Sequence, residues 1–389
     1  VQGDVGCGKT VVAQACLYAC FLSGQQAAFL APTEILARQH YEKCKAMDMD
    51  VHLYVSSLPG KEKEAIRDGM KSGEMQVFVG THALFQEAVE FQNLGLVIAD
   101  EQQRFGVRQR RSLLEKGENV DFMMMSATPI PRTYAHFIYG DMDITNIKTM
   151  PPQRKPVETH YVPGSSMKPV LKDVLDVLEQ GHQCYVVCAA IDDNPEMSIR
   201  SVRSIYEGMK KTLKDWKVGL LHGQLTSEEK EATMQKFARH ELDILVSTTV
   251  IEVGIDVPNA TFMVIYDAHR FGLSTLHQLR GRVARSKEQG VCILLSDTKD
   301  PQAIERLKKM EELKDGFTIS DYDLQIRGPG DFLGVRQSGL PNFILGDLQK
   351  DKAMMEVCVK DAKEILARQE DKAMLQFIQA SIAKAEYFD

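Results

Sequence analysis

The sequence has 389 residues, 44% of them hydrophobic and 26% charged, with a formal net charge of −7. This is the composition of a globular chain long enough for two or three cores. The acidic balance argues against a nucleic-acid binder that works by overall charge, but it leaves room for local basic stripes. No apolar run reaches the ~18–20 residues that a bilayer span needs, and no secretory signal opens the sequence. A cytoplasmic, non-membrane location is therefore expected. The 8 cysteines lie at 7, 16, 20, 44, 184, 188, 292 and 358 with no Cys-x-x-Cys pair, so reduced buried thiols are expected rather than a zinc site or disulfides.

The first element is a glycine-rich turn, Gly3-Asp4-Val5-Gly6-Cys7-Gly8-Lys9-Thr10. It fits G-x-x-x-x-G-K-[ST], a loop whose glycines let backbone N–H groups wrap phosphates. Lys9 is expected to meet the β- and γ-phosphate oxygens of ATP, and Thr10 to ligate Mg²⁺. The stretch 11–22 that follows is apolar and helix-compatible, as the motif requires.

Short, nearly all-apolar runs then alternate with helical patterns: 28–31, 51–55, 76–79, 96–99 and 122–125. Such runs are strands of a parallel sheet covered on both faces. The run 96–99 ends in Asp100-Glu101, two carboxylates at a strand tip. Asp100 is placed to hold Mg²⁺ through water, and Glu101 to orient and deprotonate an attacking water. Ser126-Ala127-Thr128-Pro129 after the next strand supplies small hydroxyls able to bond those carboxylates, a weak signal by itself.

Three prolines within 151–156 mark a linker. Alternation resumes with apolar runs at 184–188, 218–221, 244–246, 262–265 and 291–295. Thr226-Ser227-Glu228-Glu229 reads as a capping box that opens a helix. Gln278-Leu279-Arg280-Gly281-Arg282-Val283-Ala284-Arg285 places arginines three apart on one helix face. From there Arg282 and Arg285 can reach across a cleft to the γ-phosphate as arginine fingers supplied in cis. Beyond residue 298 the pattern changes to a short charged helix at 304–313, a glycine-rich block at 327–334, and an amphipathic helical tract at 348–388.

The fold class expected is α/β: two tandem RecA-like P-loop NTPase domains with parallel sheets, at 1–150 and 151–298. A hairpin and C-terminal helices follow at 299–389, and the role of the hairpin in translocation is implied by resemblance alone.

Taken in order, these motifs resemble those of the superfamily 2 helicases. The resemblance implies DNA contacts at Pro32, Thr33 and Thr81, and nucleotide-binding positions at Gln103, Gly254, Asp256 and Gln278. It tightens toward the RecG family at Asp100–Val107, at Pro129–Thr133, at His269–Ser274 and at Arg327–Gly339. The last block looks like the translocation motif shared by RecG and the transcription-repair coupling factor, and by that resemblance Arg306, Arg327 and Gln337 occupy its DNA-coupling positions. The implied activity is ATP-dependent translocation on branched duplex DNA, namely forks and Holliday junctions, by a monomer in the bacterial cytoplasm during repair and recombination. Two alternatives stay open here: the coupling factor's translocase module, and a non-catalytic DNA-binding remnant. Gln103 stands where the family usually has His, and Ala284 where it usually has Gly. The sequence starts two residues before the phosphate loop, so the strand carrying it is nearly absent. Weakened stability of the first lobe and no branch specificity are the expectations drawn from that.

Overall fold

The computed structural model describes residues 1–101, 116–117, 119–127, 143–152, 154–189, 202–248, 257–283, 288–327, 351–368 and 376. Its elements in the first half are β1 (Gln2–Gly3), α1 (Lys9–Leu22), β2 (Gln26–Leu30), α2 (Glu34–Lys45), β3 (Val51–Tyr54), α3 (Gly60–Ser72), β4 (Val77–Gly80), β5 (Leu94–Ala99), β6 (Asp121–Met124) and β7 (Asn146–Ile147). A parallel sheet forms in the order β3-β4-β2-β5-β6. Gln2 bridges Ser126 just past β6, and β1 pairs with β7 in parallel. The short β1 is thereby anchored on both sides, with Gln2 N–H donating to the Thr145 carbonyl at 2.8 Å and Gly3 N–H to that of Ser126 at 3.3 Å.

The all-apolar runs predict strands covered on both faces, and their side chains divide accordingly. Ala27 and Phe29 of β2 pack with Ala13, Leu17, Ala37 and Cys44 of α1 and α2. Ala28 and Leu30 face the other way, onto Met70 of α3. Each large side chain buried this way contributes roughly 1.5–3 kcal/mol.

The second sheet contains β8 (Glu158–Pro163), β9 (Gln183–Val187), β10 (Val218–Leu221), β11 (Ile244–Ser247), β12 (Ala260–Ile265) and β13 (Val291–Ser296). It is parallel in the order β10-β11-β9-β12-β13-β8. Its helices are α4 (Leu171–Glu179), α5 (Val202–Thr212), α6 (Ser227–Ala238), α7 (Leu273–Arg280) and α8 (Pro301–Glu312). Cys184 and Val186 pack with Val174, Leu178, Ile205 and Met209 of α4 and α5. The capping box at α6 is formed: Thr226 Oγ1 accepts from Glu229 N–H at 3.2 Å and Glu229 Oε2 from Thr226 N–H at 2.8 Å. The helix expected at 304–313 starts earlier, because Asp300 caps it and Pro301 takes its first turn.

The sheets share a device. Gln26, at the start of β2, donates to the carbonyls of Met70 and Met75, both at 2.8 Å. Gln183, at the start of β9, donates to those of Phe237 and Leu242, both at 2.7 Å. Each buried amide ties a central strand to the end of a neighbouring helix.

The described cysteines are free, and most are buried; Cys358 is exposed, unlike the buried thiols expected. No helix among the described residues is long and apolar enough to cross a membrane. The chain divides into two compact units, Val1–Pro129 with Thr145–Gly316, and Ile130–Ile144 with Phe317–Asp389. The described helices of the second unit are α9 (Gly316–Arg327), which starts in the first, and α10 (Lys352–Arg368). The expected hairpin falls largely outside the described residues.

Candidate active site

The carboxyl edge of a parallel sheet is where strand tips and helix N-termini meet, and the glycine-rich loop lies there. Gly6 and Gly8 have φ of 77° and 102°, a left-handed backbone that a side chain would strain. Gly8 is the N-cap of α1 and provides no side-chain cap. The first N–H groups of the helix are thus left to an anionic ligand. Lys9 Nζ donates to the carbonyls of Gly3 at 2.7 Å and Asp4 at 2.8 Å. Its ammonium is therefore held within the loop, and it has to leave these carbonyls to reach a phosphate.

At the tip of β5, Asp100 Oδ1 accepts from Glu101 N–H at 3.0 Å and Oδ2 lies 3.1 Å from His40 Nε2. His40 projects from α2, is buried, and stacks on Phe29 with ring centroids 4.3 Å apart. Burial pushes the Asp100 carboxyl pKa up, but the His40 hydrogen bond and attraction from His40 and Lys9 outweigh it and hold the group below the ordinary carboxylate range. Asp100 is therefore an anion with a fixed orientation. Glu101 has φ of 51°, a strained conformation for a residue with a side chain and one that recurs at catalytic positions.

A cavity of about 100 Å³ joins these groups. Lys9, Thr10, Asp100, Glu101 and Ala127 line it from the first half, and Gln278 and Arg282 from the second. Leu36, Gln39, His40 and Lys43 of α2 complete the wall. Gln39, His40 and Lys43 belong to no motif, and Leu36 lies in the run that resemblance assigns to DNA contact. Their i, i+3, i+4, i+7 spacing marks one helix face and was the available signal.

Asp4 does not line the cavity. Its carboxylate accepts from Val5 N–H at 2.6 Å, from Gly316 N–H at 3.1 Å and from His277 Nε2. His277 Nδ1 faces Arg280 Nη2 at 2.9 Å. A guanidinium can only donate, so Nδ1 is an acceptor and the ring is neutral with its proton on Nε2. Burial lowers the His277 pKa more than Asp4 raises it, in agreement with a neutral ring. Burial raises the Asp4 pKa, but the hydrogen bonds from His277 and from the Val5 and Gly316 N–H groups bring it below the ordinary value. Arg280 also donates to the carbonyls of Met310 at 3.1 Å, Leu313 at 2.8 Å and Lys314 at 3.2 Å.

The remaining sequence-derived positions are spread more widely. Gly3, Cys7 and Gly8 shape the loop without lining the cavity, whereas Val5 and Gly6 do line it. Thr33 caps α2, its Oγ1 accepting from Leu36 N–H at 3.4 Å, with Pro32 beside it. Thr81 is buried. Arg306 donates to the His269 carbonyl. Arg327 ends α9, and its side chain lies outside the described residues, as do Gln103, Gly254, Asp256, Arg285 and Gln337. Among the described residues no cluster of three or more His, Cys, Asp or Glu forms a ready metal site.

A phosphate loop, a strand-tip carboxylate pair and an arginine from a second parallel-sheet half, facing one cavity, define a two-lobed P-loop fold with a candidate nucleotide site. Three families match the chain: DEAD/DEAH box helicase over residues 1–137, helicase conserved C-terminal domain over 169–287, and ATP-dependent DNA helicase RecG, domain 3, C-terminal, over 313–379. The ATP-dependent DNA helicases RecG of Staphylococcus epidermidis and Staphylococcus aureus are each 48% identical over 370 residues, covering 94% of this chain and 54% of the relative. A structure of RecG bound to a three-way DNA junction superposes with a TM-score of 0.73 at 44% identity, covering 92% of this chain and 47% of that one. The Saccharomyces cerevisiae Dbp5 structure with RNA and ADP BeF3, at 20% identity and a TM-score of 0.59, covers 80% of this chain and 81% of its own and shares the fold. The chain is similar to the RecG helicases over 94% of its own length and spans about half the length of the curated relatives it matches.

Proposed function

We propose that this chain is the ATP-driven motor of a helicase that remodels branched duplex DNA, forks and Holliday junctions, in repair and recombination. The carrying observation is the meeting of Lys9, Thr10, Asp100, Glu101, Gln278 and Arg282 around one cavity. The RecG-specific match over 313–379 and the relatives' names favour branched DNA over the coupling factor's module.

In this reading Lys9 moves from the Gly3 and Asp4 carbonyls to the β- and γ-phosphates of ATP. The N–H groups of Lys9 and Thr10, which open α1, hold the phosphate oxygens. Glu101 orients water for in-line attack, and Arg282, with Arg285, offsets charge on the transferring phosphoryl. The Thr10 hydroxyl and the Asp100 carboxylate are the hard oxygen donors that suit Mg²⁺, and both line the cavity. The ion, when bound, neutralises phosphate charge. Gln103, Gly254, Asp256 and Gln278 are assigned to the nucleotide by their family positions, and Pro32, Thr33, Thr81, Arg306, Arg327 and Gln337 to DNA coupling. The domains are assigned to 1–150, 151–298 and 299–389, and the working unit to a monomer in the bacterial cytoplasm.

Steady-state ATP hydrolysis with Mg²⁺, measured without DNA, with linear duplex and with a forked duplex, tests this. The expected result is stimulation that is strongest on the fork and lost in Lys9→Ala. Equal rates on all three would overturn the branched-DNA reading.

A further inference from the structure

The phosphate-loop chemistry leaves one buried charged group unused. Asp4 occupies a position the motif leaves free, yet it is 9% exposed, and its partners come from distant parts of the chain. His277 is 273 residues away and Gly316 is 312. A loop residue needs no such ties to cradle a phosphate.

The bonds close a ring. Asp4 Oδ1 accepts from neutral His277, His277 Nδ1 accepts from Arg280, and Arg280 donates to the carbonyls of Leu313 and Lys314. Gly316 N–H, two residues on, returns to Asp4 Oδ2. The same arginine bonds the Met310 carbonyl in the last turn of α8, where the helix dipole favours a cation. Every polar position of the ring is matched donor to acceptor, so the neutral His277 can pass a displacement between an anion and a cation without either losing its partner.

Asp4 is also where Lys9 rests. Its main-chain oxygen receives the Lys9 ammonium while its side chain holds the ring together. Departure of Lys9 to a phosphate releases one side of Asp4 and leaves the other side tethered to residues 310–316. We propose that Asp4, His277 and Arg280 are positioning residues that tie the state of the phosphate loop to the 310–316 segment, so that nucleotide occupancy is felt at the turn that opens α9. In the bonds described, the side chains of the three reach none of Lys9, Thr10, Asp100 and Glu101; each acts through the loop. The proposal rests on the nucleotide reading of the cavity given above.

The test is hydrogen exchange of the full chain with and without Mg·ADP, read at peptides covering 310–316, alongside ADP affinity by fluorescence titration. In the wild type, ADP is expected to change exchange at 310–316 several-fold. Asp4→Asn is isosteric, but its amide NH₂ faces a donor, either His277 Nε2–H or Gly316 N–H. It is expected to bind ADP while the response at 310–316 disappears. His277→Leu should lose the response as well. His277→Gln, whose amide can donate to Asp4 and accept from Arg280, should keep it. If His277→Leu does not fold, Asp4→Asn and His277→Gln still decide the matter. A response that persists in Asp4→Asn, is lost in His277→Gln, or is missing from a wild type that binds ADP would overturn the proposal. A wild type that binds no ADP would instead overturn the nucleotide reading, and this proposal with it.

Discussion

Two buried aspartate–histidine pairs flank the phosphate loop, and they differ in what surrounds the histidine. Asp100 is held by His40, which lies flat on Phe29. Asp4 is held by His277, whose other nitrogen is taken by Arg280. The first pair sits at the cavity wall, where the carboxylate retains lone pairs for a ligand. The second is surrounded by protein donors and acceptors alone. The same two side-chain types thus make an orienting support for the proposed metal ligand in one place and a structural tie in the other. The difference lies in the neighbour on the far side of the imidazole.

That comparison can be broken at either pair. The largest effect is expected from His277→Leu, which strands the Asp4 carboxylate and the Arg280 guanidinium in the interior; losing one member of such a buried network costs about 3–5 kcal/mol, to be read by urea denaturation. Asp100→Asn leaves the fold in place and lowers the hydrolysis rate by about 10²–10³-fold, since it removes charge from the phosphoryl-transfer site. Steady-state turnover measures it, and an Asp4→Asn variant that lost as much would erase the distinction between the pairs. His40→Ala releases the Asp100 carboxylate and is expected to weaken Mg²⁺ dependence by about 10–100-fold. The readout is the Mg²⁺ concentration for half-maximal activity, with Mn²⁺·ADP binding as an activity-free check.

Acidification separates the pairs further. Facing His277 are Asp4, Arg280 and Asp315, and its folded pKa is lowered chiefly by burial. The unfolded chain takes up that proton as pH falls through about 6.5, while the folded chain resists it. Stability from this source is complete above that pH and declines below it. Thermal unfolding between about pH 7.5 and 5.5 should therefore show a steeper decline in the wild type than in His277→Gln. The contributions of Asp4 and Asp100, whose folded pKa values are depressed, are present above about pH 3.9 and lost as pH falls through those lower values. The smallest effect is expected at Arg38–Glu231, a 3.3 Å ion pair between α2 and α6 with 38% and 25% of the side chains exposed. Arg38→Ala should cost under about 1 kcal/mol, since solvent already screens the pair.

The strands with continuous apolar runs were legible because burial on both faces leaves a mark in every residue. The phosphate loop was legible because glycine and lysine spacing is a chemical requirement. Three strands were not. β1 and β7 are two residues each, too short for any pattern, and β8 is a largely polar edge strand whose place is fixed by pairing with β13. Of the candidate site, Lys9, Thr10, Asp100, Glu101, Gln278 and Arg282 line one cavity, and they are legible in sequence because each lies in a motif. His40 escaped because it reaches its carboxylate across 60 residues of sequence. Asp4 was counted with the phosphate loop because its spacing says nothing of a side chain turned to a distant histidine. The left-handed backbone at Glu101 has no signature in residue type at all.

A proposed hydrolytic site lined by both halves is tested by comparing ATP hydrolysis and ADP binding in the wild type, Lys9→Ala and Arg282→Ala. Hydrolysis is expected to fall by about 10²–10³-fold in both variants, with ADP still bound by Arg282→Ala. Hydrolysis unchanged by Arg282→Ala would contradict a site shared by the two halves.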